Sequence, residues 1–234
     1  MNTAFSFRPA TARDFPAILA LQNAVLPLLP EEQFFPDGPD FWQHCLQRGG
    51  CMLLALAHSL PEDASVTGIC AGSGEGREAC VPSGTPKLSV ILPRVPPEAE
   101  EEAESQADPG ADRKDNREGQ AFLAGYFLLH CPLAGDKDNL GRDIGLQPGG
   151  DELGLVAHLE LVLVHPLFHG QHLATTMGSL LLERARSLGR KYVCATVWPR
   201  NLASLRMLQH LGLRERCTKL KYGGLERAIM AREL

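Results

Sequence analysis

The chain has 234 residues, of which 44% are hydrophobic and 22% charged, enough apolar material for one good-sized core. The net charge of −5 is concentrated between Glu98 and Glu118, where nine acidic residues face three basic ones, so the remaining body is nearly neutral. Such a body lacks the clustered basic face that a nucleic-acid partner requires, and no apolar run approaches the roughly 18 residues that span a bilayer. The N-terminal residues show no basic-then-apolar leader, and seven cysteines without paired spacing fit a reducing compartment, so a cytoplasmic protein is expected. Cys51, Cys70, Cys131 and Cys194 sit in apolar surroundings and read as small core residues.

The chain opens with a short strand at 6–9 and a helix that Thr11 or Asp14 can cap. Ile18, Leu19, Leu21, Gln22 and Val25 carry the helical apolar pattern until Pro27 ends it. A second helix at 41–48 stops at Gly49-Gly50. The uninterrupted apolar run 51–57 then reads as a central strand. From about 60 to 119 Gly, Pro, Ser and Glu dominate. A structureless loop of that length is improbable inside a compact domain, so the segment is expected to be a disordered acidic insertion, with 66–71 and 87–92 as isolated extended pieces at most.

Order resumes with a strand at 121–130, a polar loop at 135–152 and a strand at 155–164. A helix at 171–188 follows, with Leu173, Met177, Leu180, Leu181, Ala185 and Leu188 on one face and Gly189 as its stop. The strand 192–197, a helix at 202–211 capped by Asn201, the strand 214–220, a turn at Tyr222-Gly223-Gly224 and the strand 226–231 complete an α/β sandwich.

Within the strand 155–164, Glu160 is the only carboxylate. Alternation places His158, Glu160, Val162 and Val164 on one face and Leu159, Leu161 and Leu163 on the other. A charged group in such a strand is costly unless it is paired, hydrated or functional. Directly after it comes Val164-His165-Pro166-Leu167-Phe168-His169-Gly170-Gln171-His172-Leu173-Ala174, a tight turn opening a helix. Several backbone N–H groups there lack intrahelical partners and point the same way with the positive end of the helix dipole behind them, a geometry that binds a diphosphate. His172 is expected to lie already in helical φ/ψ, where no glycine is needed. His165, His169 and His172 are also three histidines within eight residues, but Pro166 and Gly170 interrupt any helix that would aim them at one metal ion, so no metal is expected.

This loop resembles the signature of the GNAT superfamily of acetyl-CoA-dependent N-acetyltransferases, roughly V-x-P-x-x-R/Q-G-x-G-x-G/A. Gly170, Leu173 and Ala174 match it, whereas His169 stands at the Arg/Gln position and His172 at the second glycine. Asn201-x-x-Ser204 followed by Leu211-Gly212-Leu213 is similar to the family's later N-x-x-[AS] and G-[FL] pattern. The resemblance implies a single domain over 1–234, interrupted by the insertion at about 60–119, with a mixed, mostly antiparallel central sheet flanked by helices on both faces.

It further implies acetyl-CoA as co-substrate, lying along Val162, Leu163 and Val164. Its diphosphate would sit on the backbone of Gly170, Gln171, His172, Leu173 and Ala174, helped by Thr175 and by the charge of His169 and His172. Its pantetheine arm would pass Asn201 and Ser204. The amides of Leu163 and Val164 become the oxyanion donors and Glu160 the general base for a primary amine, small-molecule or peptide. The family's usual tyrosine acid falls on Leu208, so Tyr222 is the substitute candidate. A carboxylate base whose pKa is raised by burial suits the task. Asn139-Leu140-Gly141-Arg142-Asp143 and Trp198 are candidate pocket-lining residues, against the blander reading of a polar turn and a half-buried aromatic. The irregular glycine pattern and missing tyrosine keep an alternative open, an acyl-CoA-binding regulatory module of the same fold without turnover. The acceptor and the oligomeric state are not legible.

Overall fold

The computed structural model describes residues 3–33, 36–60, 92–95 and 121–234. The expected disordered insertion, with its extended pieces, therefore lies outside the described residues, apart from the bridge of Arg94 to Phe122. The strands are β1 (Phe5–Pro9), β2 (Cys51–Ala57), β3 (Phe122–His130), β4 (Val156–Val164), β5 (Tyr192–Val197), β6 (Arg214–Lys221) and β7 (Leu225–Glu233). The helices are α1 (Phe15–Val25), α2 (Pro39–Gln47), α3 (Leu173–Ser187) and α4 (Leu202–His210).

The seven strands form one sheet in the order β1-β2-β3-β4-β5-β7-β6, antiparallel throughout except for the β4–β5 pair. α1 and α2 cover one face, where Ile18, Leu21, Trp42 and Cys45 meet Met52, Leu54, Tyr126 and Leu128. α3 and α4 cover the other, where Met177, Leu181, Met207 and Leu208 meet Phe127, Leu159, Ala195 and Met230. β2 and β3 are buried on both faces, which is why their sequences run apolar without alternation.

Local chemistry accounts for the element ends. Asp14 accepts the Thr11 N–H at 2.8 Å and a two-pronged Arg8 contact at 2.6 and 2.9 Å, tying β1 to the start of α1. Pro27 ends α1 in a 3₁₀ turn, Leu26–Leu28. Gly178 admits close α3–α4 packing, since a Cβ there would lie 2.4 Å from a Leu211 methyl. Among the described residues all five cysteines are free, with Cys131 and Cys194 buried.

Two expectations need correction. Leu161 has φ +51, and the β3–β4 register slips between Tyr126 and Leu128, so β4 carries a bulge. The bulge reverses the alternation that a regular strand would keep. Val162 and Val164 pack against the α3–α4 side together with Leu159, while Leu161 and Leu163 join the face that carries Glu160. His172 has φ +57 and ψ +17, the left-handed region, instead of helical values. It occupies the conformation for which the family's glycine is suited.

Candidate active site

β4 and β5 pair only over Val156–Tyr192, Ala157–Val193 and His158–Cys194. Beyond that point the bulged strand diverges from its parallel neighbour, and a gap opens in the middle of the sheet. The His165 N–H bonds the Ala124 carbonyl at 2.8 Å while Val164 stands opposite Gly125, which identifies Val164–Gly125 as the pair that exchanges no hydrogen bonds. The Val164 N–H, and by alternation that of Val162, therefore turn away from β3 into the gap. The Leu163 N–H turns toward Tyr126 of β3. Of the two amides expected to hold an oxyanion, Val164 alone is free for that role, because strand alternation turns adjacent amides to opposite edges.

The gap runs directly into the mouth of α3. Its first helical N–H contact is Thr176 to the His172 carbonyl at 3.0 Å, so the amides before Thr176 have no partner within the helix. Gly170, with φ +77, and the left-handed His172 fold the chain back into α3. His169 donates from Nε2 to the Val164 carbonyl at 2.9 Å, and its ring is thereby committed to β4. His165 is fully buried against Phe168 and accepts the Leu167 N–H at 3.2 Å; burial, then the nearby His169, lowers its pKa to about 4. The histidine trio of the loop does not converge on one point.

A cavity of about 1420 Å³ joins the gap, the α3 mouth and the α1–α2 face. It exceeds the roughly 300–1,000 Å³ of a site for one small ligand and suits two substrates. It brings together every catalytic and coenzyme-binding residue expected from the sequence except Gln171, whereas of the candidate lining segment 139–143 only Leu140 reaches it. Asn201 caps α4, accepting the Ser204 N–H at 3.1 Å, and Leu208 is buried at the position of the absent tyrosine. The Tyr222 hydroxyl reaches Thr196 on β5 at 3.0 Å and shares the cavity with Glu160. Burial raises the Tyr222 pKa, and the negative charge of Glu160 adds to the effect. Leu140 and Trp198 line the cavity as well. Asn139 instead forms a buried knot, donating to the Leu133 and Leu153 carbonyls at 3.1 and 2.9 Å and accepting from Gly141 at 2.9 Å.

Around Glu160 lies a constellation that sequence reading foresaw only in part. His158 and Glu160 are neighbours, as alternation requires, with Nδ1 to Oε1 at 3.0 Å. The Leu140 N–H donates to His158 Nε2 at 3.0 Å, so the ring proton sits on Nδ1 and is donated to Glu160. His130, directly opposite His158 across the β3–β4 ladder, places Nδ1 3.5 Å from the same Glu160 oxygen. Burial pushes the Glu160 pKa up, but the contacts to His130 and His158 outweigh it and hold the carboxyl at about 2. That corrects the expected upward shift: the sheet that buries Glu160 also sets His158 of β4 and His130 of β3 against it. Asp37, in the turn before α2, moves the other way, to about 6, through burial and the nearby Glu160 charge. A proline-flanked turn carries no sequence signal for this role, and His130 had none beyond closing an apolar strand.

His130, His158 and Glu160 offer three metal-type donors within 4.8 Å of one another. A histidine bound to metal through Nδ1 carries a proton on Nε2, which it donates to a neighbour. Here the Leu140 N–H already points at that nitrogen, so the donor set fits a hydrogen-bonded relay rather than a cation.

Residues 87–214 match the Acetyltransf_3 model, the acetyltransferase (GNAT) domain. The chain belongs to the GNAT acetyltransferase family. As a GNAT chain it shares its fold with YncA of Salmonella typhimurium, solved with its cofactor acetyl-CoA, at TM-score 0.53 and 15% identity, covering 98% of this chain and 94% of that one. The ribosomal-protein-alanine N-acetyltransferase of Brucella melitensis gives TM-score 0.53 and 15% identity over 98% and 99% of the two chains. A chain of the NatC complex, bound to Gag peptide and CoA, gives 0.53 and 8% over 98% of each. No curated protein matches this GNAT chain in sequence.

Proposed function

We propose that the protein transfers an acetyl group from acetyl-CoA to a primary amine by direct attack within a ternary complex, without a covalent enzyme intermediate. The observation that carries this reading is the continuity of the cavity: unpaired β4 amides, the α3 mouth and the Glu160 carboxylate open into one space. The coenzyme's diphosphate binds the backbone of residues 170–175, where the helix dipole favours it. Its pantetheine arm follows Val162 and Val164 past Asn201 and Ser204, and the thioester carbonyl points at the Val164 N–H.

Only a neutral amine attacks. A lysine-like amine with pKa about 10.4 is neutral in roughly one molecule in 2,500 at pH 7, whereas an α-amine near 7.8 is neutral in about one in seven. Glu160 takes the amine proton as the C–N bond forms. The Val164 amide stabilises the tetrahedral oxyanion, where a well-placed donor contributes about 10²–10³ in rate. Collapse breaks the C–S bond, and Tyr222 protonates the departing thiolate, whose cysteine-like pKa of about 8.5 makes modest demands on an acid. The acceptor is a small molecule or peptide carrying a primary amine.

The test is acetyl-CoA consumption across amines, peptides and amino sugars, repeated with Glu160→Gln. Turnover with at least one acceptor is expected, lowered about 10²-fold by the substitution at pH 7 and less at pH 9, where more of the amine is neutral. Coenzyme binding without turnover on any acceptor would overturn the enzymatic reading in favour of an acyl-CoA-binding regulatory module.

A further inference from the structure

Glu160 can collect a proton but cannot keep one. A carboxylate that takes the amine's proton must give it up before it can act again, so the proton needs a resting place next to it. His158, Asp37, Tyr222 and His130 share the cavity with Glu160, and Tyr222 is assigned to the thiolate. His158 is already occupied on both sides, Nδ1 giving its proton to Glu160 at 3.0 Å and Nε2 accepting from the Leu140 backbone at 3.0 Å. Asp37 faces the same cavity but belongs to a separate turn. His130 is the remaining one. Its Nδ1 lies 3.5 Å from Glu160 Oε1, and neither ring nitrogen forms a hydrogen bond although both are buried.

Buried, unpartnered polar atoms are costly and rare, and such an atom requires an explanation. The ring is not loose. It stands edge-on to Phe41 of α2 at 5.4 Å and to His158 at 5.5 Å, held beside the carboxylate by packing rather than by hydrogen bonds. The titratable groups around it are Glu160 and His158 of β4, Asp37 before α2 and the Cys45 thiol of α2, which burial keeps protonated. Two carboxyl groups thus stand around a ring whose nitrogens are unsatisfied.

We propose that His130 is the proton reservoir of acetyl transfer: Glu160 collects the proton of the bound ammonium and passes it to the His130 ring. This rests on the reading of the site as an amine acetyltransferase. The N–H bond of the ammonium breaks as Glu160 gains the proton; the O–H bond then breaks as Nδ1 of His130 gains it. The nitrogen lone pair so released forms the C–N bond, Glu160, vacant again, takes the second N–H proton that amide formation sheds, and the C–S pair leaves on sulfur, which Tyr222 protonates. Of the two protons lost by nitrogen one thus balances that on sulfur, and the stored one returns to solvent with product release. His130 acts through Glu160 and is a positioning and storage residue, not one that touches the substrate.

The experiment compares pH–rate profiles of wild type, His130→Gln, His158→Gln and Asp37→Asn, with CoA affinity measured for each. In wild type kcat/KM should fall on an acidic limb. His130→Gln should lower kcat about 10²-fold at pH 7, abolish that limb and leave CoA affinity unchanged. Asp37→Asn should keep the limb, and His158→Gln, whatever its rate, should keep it too. The proposal is overturned if His130→Gln stays within threefold of wild type with its limb intact, or if the limb disappears with Asp37→Asn. Lack of turnover by wild type with every amine removes the acetyltransferase reading itself, a result distinct from active wild type with an indifferent His130→Gln.

Discussion

Two carboxyl groups in one cavity are driven in opposite directions by their surroundings. Glu160 is 23% exposed, yet it stays ionised because two imidazoles share its Oε1 oxygen. Asp37 has no comparable donors, and burial together with the Glu160 charge pushes it up to about 6. A carboxyl whose folded pKa exceeds its unfolded value loses stability as pH rises through that interval. Asp37→Asn should therefore raise Tm by roughly 2–4 °C at pH 8, the shift that about 1 kcal/mol produces in a chain of this size, and by nothing at pH 4, where the native side chain is already neutral. A calorimetric scan at the two pH values checks this; an equal shift at both would assign the effect to packing instead. Glu160 was legible in the sequence because it interrupts an apolar strand. Its pKa was not, since His130 and the Leu140 amide that orient the imidazoles come from chain segments far from it.

Strand β4 shows how one irregular residue sets the architecture of the site. Regular alternation would keep Val162 and Val164 beside Glu160. The bulge at Leu161 turns their side chains to the α3–α4 face, and with its added twist separates β4 from β5. Gly125 makes room for this: a Cβ there would stand 2.7 Å from the Leu163 carbonyl. Nothing in the run Leu159 to Val164 signals a bulge: no glycine marks it, and its one polar residue, Glu160, announces a charge rather than a backbone irregularity. The loop before α3 was read more fully, with its helix start within two residues. Only the backbone of His172 was misjudged, and for a physical reason: a non-glycine at φ +57 is unfavourable, so helical values were the better expectation. His172→Gly should remove that strain and stabilise the fold by about 1 kcal/mol, read as a higher urea midpoint with an unchanged slope. A lower midpoint would mean that the imidazole makes contacts worth more than the strain.

At the scale of the molecule, the order of elements follows from periodicity and turn residues, whereas the covering of the sheet on both faces was legible only through the resemblance of the loop before α3 to a known family. No helix among the described residues is long and apolar enough to cross a membrane. Electrostatics binds the molecule together at a few buried points. Burial raises Asp14, but Arg8 and Thr11 outweigh it and lower its pKa, as the two histidines do for Glu160. Groups depressed in this way contribute stability above the ordinary carboxyl range and lose it as pH falls through their folded values. Asp37 acts in the opposite sense as pH falls below about 6. Urea midpoints should therefore rise slightly between pH 7 and 5 and drop steeply from about 4 toward 2, with the acid drop shallower in Glu160→Gln.

The account depends above all on backbone amides at the start of α3 gripping the diphosphate of the coenzyme. Titration calorimetry with CoA and with pantetheine, which lacks the diphosphate, tests it most directly. CoA should bind with pantetheine at least 10²-fold weaker, since the anion on the helix terminus and its hydrogen bonds are lost. Equal affinity for the two, or no heat with CoA at neutral pH, would contradict the central claim.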